Sequence, residues 1–349
     1  MEVELLDCTL RDGGYVNNWN FSDEQITELY DILNKNKIDY MELGFKNFRK
    51  NTNFGNSYYC EENYINKLFK DIDTSNCKIC VMCEMGKFDS SLFVPKSESK
   101  ISMVRVLMAY HSIKNTTDDD IDFKTLDDGI QEIDKLIQMG YDVTFNIGRI
   151  DKISEEQLYG ICEKISKTKI KYFVMADTYG SLDLNLTKKY VSYTKNLFEN
   201  VFNTYIKIGF HAHDNYKNAT SKALYSIEHG AKIVDGCVHG FGRGSGNAVT
   251  ELLMVDFNKN KNRNYDFVEL MLYGQKYLSN YDNADTIVSY KDILYILTAY
   301  YGMHVNYAIE AIAKNIPIHM ANKIFLKICG TNKNMYYYSE LLDKIIGEM

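Results

Sequence analysis

The sequence predicts an α/β protein, with a (β/α)8 TIM barrel over residues 1–257 and a helical C-terminal region over residues 258–349. Two observations support this prediction. Eight short apolar runs alternate with longer polar or amphipathic segments in the first region, and eight strand–helix units suffice to close a barrel. Charged, amide and glycine residues also cluster at the carboxyl ends of these runs, which is where barrel enzymes carry their chemistry.

The eight apolar runs have the length and composition of buried parallel strands. They are, in chain order, Val3–Cys8, Tyr40–Phe45, Lys78–Met85, Ser102–Tyr110, Asp142–Ile147, Tyr172–Ala176, Ile206–Phe210 and Ile233–Val238. An open, doubly wound sheet is the alternative, but no G-x-G-x-x-G motif follows the first run. The closed barrel is therefore the preferred prediction.

Apolar residues repeat at helical spacing in the segments between the runs. The clearest examples are Ser22–Lys35, Leu126–Met139 and Asn218–His229. In the C-terminal region a polar linker is predicted at Asn258–Tyr265, followed by helices. Asn315–Pro317 should separate two of these helices, because the residue before a proline disfavours the helical conformation.

Composition limits the classes of function. The net charge of −7 and the pI of about 5.6 argue against binding of nucleic acid or of an anionic membrane surface. No apolar run approaches the ~20 residues of a membrane span, and the first residues predict an acidic strand rather than a signal peptide. Cys77, Cys80 and Cys83 are interpreted as core residues, since no fourth cysteine follows to complete an iron–sulfur site. We expect a cytoplasmic protein.

A histidine pair at the end of the seventh run predicts a metal site. His211 and His213 lie two residues apart, so they share one face of a strand. Closure of the barrel would bring Asp12, after the first run, and Asn247, after the eighth, to the same edge. This mixed nitrogen and oxygen set suits Mg²⁺, Mn²⁺ or Zn²⁺ acting as a Lewis acid. The alternative is an exposed turn with two incidental histidines.

Arg11 adjoins Asp12 and is predicted to neutralise a carboxylate or an enolate oxygen. A surface ion pair at a turn is the alternative interpretation. The basic loop after the second run, with Lys46, Arg49 and Lys50, is interpreted as solvated, although it could bind an acidic or phosphorylated substrate.

Three separated motifs resemble the DRE-TIM metallolyases, the HMGL-like superfamily. They are Leu6–Gly14 (LDCTLRDGG), His211-Ala-His213 and His239–Ala248 (HGFGRGSGNA). Tyr15–Trp19 (YVNNW), which follows the first motif, is most similar to the 4-hydroxy-2-oxovalerate aldolase-like branch. The resemblance implies a divalent metal, Mn²⁺ or Mg²⁺ first and Zn²⁺ or Co²⁺ as alternatives. Asp12, His211, His213 and Asn247 would be its ligands.

The resemblance also implies chemistry on a 2-oxo acid such as pyruvate, through an enolate. The predicted substrate-binding residues stand at the ends of predicted strands: Glu42, Asn146, Asp177 and Thr178. Ordinary turn formation is the alternative interpretation of the last three residues.

The acid–base residue departs from the family pattern. Aldolases of this branch have a catalytic histidine shortly after RDG, whereas this chain has Gly14 and Tyr15 there. The condensing synthases have RDGEQ, and Gly14 replaces that glutamate. Tyr15 is the nearest candidate and His239 the second. Tyr300 corresponds to the C-terminal tyrosine that the aldolases use.

The predicted function is a divalent-metal-dependent carbon–carbon lyase or aldolase acting on a 2-oxo acid and an aldehyde. A homo-oligomer is expected, and the resemblance adds an aldehyde dehydrogenase as a partner. Three alternatives remain: an acyl-CoA-dependent Claisen-type synthase, a zinc hydrolase and a non-catalytic barrel scaffold. The hydrolase is disfavoured because such enzymes usually carry H-x-H on the first strand and need more histidines.

Overall fold

Eight parallel strands close into a barrel in the computed structural model of the protein. The structure describes residues 3–48, 53–109, 123–279, 281, 289–331, 333–334 and 336–348. The strands are β1 Glu4–Asp7, β2 Tyr40–Phe45, β3 Lys78–Glu84, β4 Ile101–Met108, β5 Asp142–Ile147, β6 Tyr172–Asp177, β7 Lys207–Ala212 and β8 Ala231–Gly236. Because β1 pairs with both β2 and β8, the sheet has no open edge, which excludes the doubly wound alternative.

Each strand falls within two residues of its predicted position at the ends that the structure describes. Tyr110, the predicted end of the fourth strand, lies outside the described residues. The strands coincide with the apolar runs because their side chains are buried on both faces of the sheet. Part of the core comes from six of the strands and from Cys8 and Cys237, just after β1 and β8: Leu6, Cys8, Tyr40, Cys80, Met103, Tyr172, Val174, Ile233 and Cys237.

Cys77, Cys80 and Cys83 are buried, and the last two belong to β3. Burial raises the pKa of all three thiols. Their interpretation as core residues is confirmed.

Helices alternate with the strands and then continue without them. They are α1 Thr9–Asn17, α2 Asp23–Lys35, α3 Asn56–Tyr59, α4 Glu62–Leu68, α5 Phe123–Gln138, α6 Glu155–Ile165, α7 Leu184–Asn196, α8 Ala219–Glu228, α9 Thr250–Asn260, α10 Phe267–Tyr277, α11 Tyr290–Tyr300, α12 Asn306–Ala313, α13 Ile318–Gly330 and α14 Leu341–Gly347. At the start of α2 a capping box joins Ser22 and Gln25, each side chain accepting a hydrogen bond from the other's backbone N–H. Among the described residues no helix is long and apolar enough to cross a membrane.

The part of the first motif from Thr9 to Gly14 forms a helix directly after β1. Its two glycines lie in α1, where glycine is usually unfavourable. A Cβ on Gly13 would come within 2.3 Å of the Phe241 ring, and one on Gly14 within 2.1 Å of Trp19. The indole nitrogen of Trp19 donates a hydrogen bond to the backbone oxygen of Arg11 at 3.0 Å. The glycines therefore permit close packing around the turn of α1 that carries Arg11.

The chain divides into two compact units, residues 1–253 and residues 254–349. Helix α9 extends to Asn260, so the first residues of the predicted linker Asn258–Tyr265 are helical instead. Asn258 accepts a hydrogen bond from the backbone N–H of Tyr265 at 2.7 Å and so closes the turn after the helix. Pro317 lies between α12 and α13, which confirms the predicted break.

Candidate active site

A cavity of about 260 Å³ opens at the carboxyl ends of the barrel strands. Its lining includes most of the residues that the sequence predicts for the site. They are Arg11, Asp12, Tyr15, Asn146, Thr178, His211 and His213. Barrel closure thus brings together residues that lie more than 200 positions apart in the chain.

The predicted metal ligands converge within this site. Asp12 Oδ2 lies 3.9 Å from His211 Nε2 and 4.0 Å from His213 Nε2, and all three side chains are buried. Asn247 donates from Nδ2 to Asp12 Oδ1 at 2.9 Å. His211 Nε2 and Asn247 Oδ1 are buried without a hydrogen-bond partner. Because buried polar atoms are normally satisfied, these two atoms and the carboxylate fit a bound cation.

Hydrogen bonds to the second ring nitrogen orient both histidines. His211 Nδ1 lies 3.0 Å from Asp235 Oδ2, and His213 Nδ1 lies 3.2 Å from the backbone oxygen of Gly246. A carbonyl oxygen can only accept, so Nδ1 of His213 carries the proton and Nε2 has a free lone pair. A carboxylate or carbonyl behind the ring is the usual support of a metal-binding histidine.

The glycine-rich loop after β8 permits this close assembly. A Cβ on Gly242 would lie 2.0 Å from Asn247 Nδ2 and 2.6 Å from Asp12 Oδ1. The backbone N–H of Arg243 also donates to Asp12 Oδ1, at 3.1 Å. One oxygen of Asp12 is therefore held by the loop, and the other faces Arg11 and the two histidines.

The protonation states of the three groups differ. Burial opposes ionisation of Asp12, but Arg11 and the histidines outweigh it and hold the carboxyl pKa well below its ordinary value. Burial likewise lowers the pKa of His213, to about 4. Burial also disfavours charge on His211, but its hydrogen bond to Asp235 and the neighbouring Cys8 raise its pKa to about 9. Near neutral pH, His213 is ready to ligate, whereas His211 must lose a proton first.

A chain of buried ion pairs runs beneath the site. The Arg11 Nε atom lies 2.7 Å from Glu42, Arg105 lies 3.1 Å from the same Glu42 oxygen, and Arg105 contacts Asp235 at 2.6 Å. Asp235 then contacts His211, so the chain joins both sides of the metal site. Glu42 is fully buried, is absent from the described cavity lining and contacts Arg11. Its contact with substrate stays a prediction.

Asp177 is likewise held by buried contacts. Its carboxylate is fully buried, forms an ion pair with Lys222 and accepts a hydrogen bond from the backbone N–H of Ser181 at 2.9 Å. These bonds fix the turn after β6, and the contact of Asp177 with substrate stays a prediction. Thr178 and Asn146 do line the cavity.

The acid–base candidates have different surroundings. Tyr15 lines the cavity with 42% of its surface exposed, and loss of hydration around the phenol raises its pKa to about 12. His239 is fully buried, and its backbone N–H donates to the Glu251 carboxylate at 3.0 Å. Tyr300 belongs to the second unit, where its ring packs edge-on against Phe267 at 4.7 Å. The role of Tyr300 remains a prediction.

Lys46, just after β2, is less solvated than expected. Lys46 is only 4% exposed, donates to the backbone oxygen of Cys60 at 2.7 Å and lies 3.4 Å from Glu62. The interpretation of Lys46 as a solvated side chain is therefore wrong. Arg49 and Lys50 lie outside the described residues.

Two buried residues of the site were missing from the sequence interpretation: Arg105 in β4 and Asp235 in β8. A signal was present, because each is a charged residue inside an apolar strand. Burial of an unpaired charge is strongly unfavourable, so such residues must find partners within the barrel.

A closed parallel barrel whose strand ends gather two histidines, a carboxylate and an amide defines a barrel protein with a candidate divalent-metal centre. Comparison with known sequences carries this further. The chain belongs to the HMGL-like family, whose sequence model matches residues 2–275. The resemblance inferred from the three motifs is thereby confirmed.

Relatives within the family carry different activities. The chain is 23% identical over 291 residues to the 4-hydroxy-2-oxovalerate aldolase of Moorella thermoacetica, covering 80% of each protein. It is 24% identical over 263 residues to the 2-isopropylmalate synthase of Buchnera aphidicola subsp. Diuraphis noxia, covering 73% of this chain and 47% of the synthase. The N-terminal domain of a provisionally assigned aldolase from Bacteroides vulgatus superposes with a TM-score of 0.65 and 26% identity, covering 79% of this chain and 88% of that domain.

Proposed function

We propose that this protein is a divalent-metal-dependent aldolase that cleaves or forms a carbon–carbon bond next to the 2-oxo group of an acid such as pyruvate. One observation carries the proposal. The Nε2 atoms of His211 and His213 lie within 4.0 Å of the Asp12 carboxylate in a cavity that Arg11 also lines, and Asn247 is hydrogen-bonded to the same carboxylate. This combination suits a reaction in which negative charge develops on a substrate oxygen.

In the cleavage direction the hydroxyl on C4 of a 4-hydroxy-2-oxo acid passes its proton to solvent at the open cavity, and the C3–C4 bond breaks. C4 leaves as an aldehyde, and C3 of the enolate takes a proton to become the methyl group of pyruvate. A divalent ion held by Asp12, His211, His213 and Asn247 would supply Lewis-acid polarisation of the 2-oxo group. Arg11 neutralises the charge that develops on the enolate oxygen.

Tyr15 is the group we assign to proton transfer at the cavity. Its raised pKa keeps the phenol protonated near neutral pH, so it acts most effectively as a donor to the enolate carbon. Thr178 and Asn146, on the opposite part of the lining, would orient the substrate. Tyr300 stays a proposed contributor from the C-terminal region, on the strength of the family resemblance alone.

The finer features of the protein remain part of this proposal. Mn²⁺ or Mg²⁺ is the expected metal, with Zn²⁺ and Co²⁺ as alternatives. The partners expected from the resemblance are an aldehyde substrate, an aldehyde dehydrogenase and a second copy of the chain. The eight cysteines are free, which suits the reducing conditions of the cytoplasm.

A Claisen-type synthase is the competing function, because a synthase is among the relatives. Gly14 stands where the synthases carry the glutamate of RDGEQ, and its Cβ position is filled by Trp19, so a larger residue has no room there. This packing favours the aldolase. A non-catalytic scaffold would have no use for convergent buried metal donors, which cost stability when unsatisfied.

The test offers 4-hydroxy-2-oxovalerate to the purified protein with Mn²⁺ and follows pyruvate release with lactate dehydrogenase and NADH. We expect metal-dependent pyruvate formation that falls at least ~100-fold in Arg11→Gln, because the enolate charge loses its partner. A parallel assay follows thiol release from acetyl-CoA in the presence of a 2-oxo acid. Thiol release without pyruvate formation would replace the aldolase with the synthase.

A further inference from the structure

The cationic side chains at the cavity are mostly paired within the protein. Arg11 contacts two carboxylates in the buried chain of ion pairs described above. Lys87 lies 2.6 Å from Glu84, and Arg149 lies 2.9 Å from Asp151. These positive charges are therefore largely neutralised before any substrate enters.

Arg243 is the exception within the described part of the chain. Its exposed side chain lines the cavity, and its guanidinium carbon lies 5.2 Å from the centre of the Tyr15 ring. No carboxylate of the described residues forms an ion pair with it. Its backbone N–H is bonded to Asp12 at 3.1 Å, so the loop that carries Arg243 is fixed at the rim of the metal site. An unneutralised guanidinium thus stands beside the proposed proton donor.

Resting on the proposed function, we propose that the second substrate, the acceptor aldehyde, carries an anionic group, carboxylate or phosphate, which Arg243 binds. The carboxylate of the 2-oxo acid would have its own cationic partner in the divalent ion of the metal site, and Arg11 is already paired with Asp12 and Glu42. Arg243 is therefore available to bind a second negative charge, which the acceptor aldehyde would carry. Guanidinium binds carboxylate and phosphate with two parallel hydrogen bonds, whereas a neutral aldehyde such as acetaldehyde would leave it without an anionic partner.

The distribution of charge over the protein also supports an anionic group on the acceptor. The whole chain carries a net charge of −7, so an anionic substrate is repelled by most of the surface. Arg11, Lys87 and Arg149 are paired with carboxylates, so among the described lining residues Arg243 supplies the unpaired positive charge of the cavity. An anion is therefore attracted to this opening in preference to the rest of the protein.

The experiment compares matched acceptors in condensation with pyruvate: glyceraldehyde 3-phosphate against glyceraldehyde, and succinic semialdehyde against butanal. We expect kcat/KM to be at least ~10-fold higher for the charged member of one pair, because a hydrogen bond between two charged groups is stronger than one to a neutral group. The pair that shows the preference identifies phosphate or carboxylate. Arg243→Gln should remove the preference, and Lys87→Gln, whose cation is already paired with Glu84, should retain it.

Direct binding separates this inference from the proposed function. Calorimetric titration with 2-phosphoglycolate and with succinate needs no turnover. We expect the preferred anion to bind at least ~10-fold more weakly to Arg243→Gln than to the wild type or to Lys87→Gln. Equal binding to all three proteins, or a charge preference that survives in Arg243→Gln, would overturn the assignment. Pyruvate formation from 4-hydroxy-2-oxovalerate reports on the proposed function separately.

Discussion

At the scale of single residues, Asp12 is the side chain that contacts every other part of the metal site. Its carboxylate accepts hydrogen bonds from Asn247 and from the loop after β8, and it faces Arg11 and both histidines. Neighbouring positive charge keeps the pKa of this buried acid low. The metal ligands could be predicted because H-x-H and RDG lie at the ends of apolar strands. A charge inside an apolar strand indicated that Asp235 needs a partner, but its role could not be predicted, since it depends on which residue of the neighbouring strand β7 it contacts.

Asp12→Asn should abolish metal binding while preserving the fold, because asparagine has the same shape without the charge. We expect metal content by elemental analysis to fall from about one ion per chain to below about a tenth. Asp134→Asn, an exposed change on α5, is the matched control. Undiminished metal content in Asp12→Asn would remove this carboxylate from the ligand set.

Asp235→Asn should weaken metal affinity by about 10- to 100-fold, the usual effect of losing the group behind a metal-binding histidine. The same substitution removes the carboxylate that pairs with the buried Arg105 guanidinium. The free energy of unfolding should therefore fall by up to about 3–5 kcal/mol. Metal titration and urea denaturation measure the two effects. Stability loss with unchanged affinity would limit Asp235 to a structural role.

At the scale of elements, the strands were predictable from their apolar runs, but α1 was not. Its two glycines have poor helix propensity, and the helix forms because Gly13 and Gly14 allow Phe241 and Trp19 to pack closely. That packing involves residues distant in the chain, which a local pattern cannot show. The junction of α9 with the loop after β8 is a second example, because Glu251 is fully buried beneath His239.

Burial raises the pKa of Glu251 from 4.5 to about 8. Between these pH values Glu251 is protonated in the folded protein and ionised in the unfolded chain. Its contribution to the free energy of unfolding is therefore fully present below about pH 4.5 and is lost as the pH rises to about 8. The slope from this group is at most about 1.4 kcal/mol per pH unit. Urea denaturation of Glu251→Gln between pH 5 and 8 should lack this slope, because glutamine resembles the protonated acid.

Glu156→Gln, an exposed change on α6, controls for the loss of one charge. The unfolding free energy of this variant should decline with pH as that of the wild type does. If Glu251→Gln keeps the full wild-type slope, Glu251 is ionised in the folded protein.

At the scale of the whole molecule, closure of the barrel creates the site, because β7 and the segments that follow β1, β7 and β8 supply its residues, and only closure makes them neighbours. The barrel could be predicted from eight regular strand–helix units. The second unit was less predictable: its helices follow from apolar spacing, but the role of Tyr300 rests on family resemblance. Selective binding of metal to the folded barrel should also stabilise it.

Saturating Mn²⁺ at about 100 times its Kd should stabilise the protein by about 2.7 kcal/mol, since the unfolded chain does not hold the four ligands together. Thermal unfolding should shift upward by several degrees and return after addition of EDTA. Asp12→Asn should show no shift. An equal shift in that variant would mean that the metal binds elsewhere.

The central claim is that the metal centre and Arg11 stabilise the enolate of a 2-oxo acid. Exchange of pyruvate methyl protons in D₂O, followed by proton NMR without any acceptor, measures enolate formation alone. The wild-type protein with Mn²⁺ or Mg²⁺ should exchange these protons well above the rate in buffer, EDTA should stop the exchange, and Asp12→Asn should show none. Exchange that is absent with Mn²⁺, Mg²⁺, Co²⁺ and Zn²⁺ alike, or that persists in Asp12→Asn, would contradict the account.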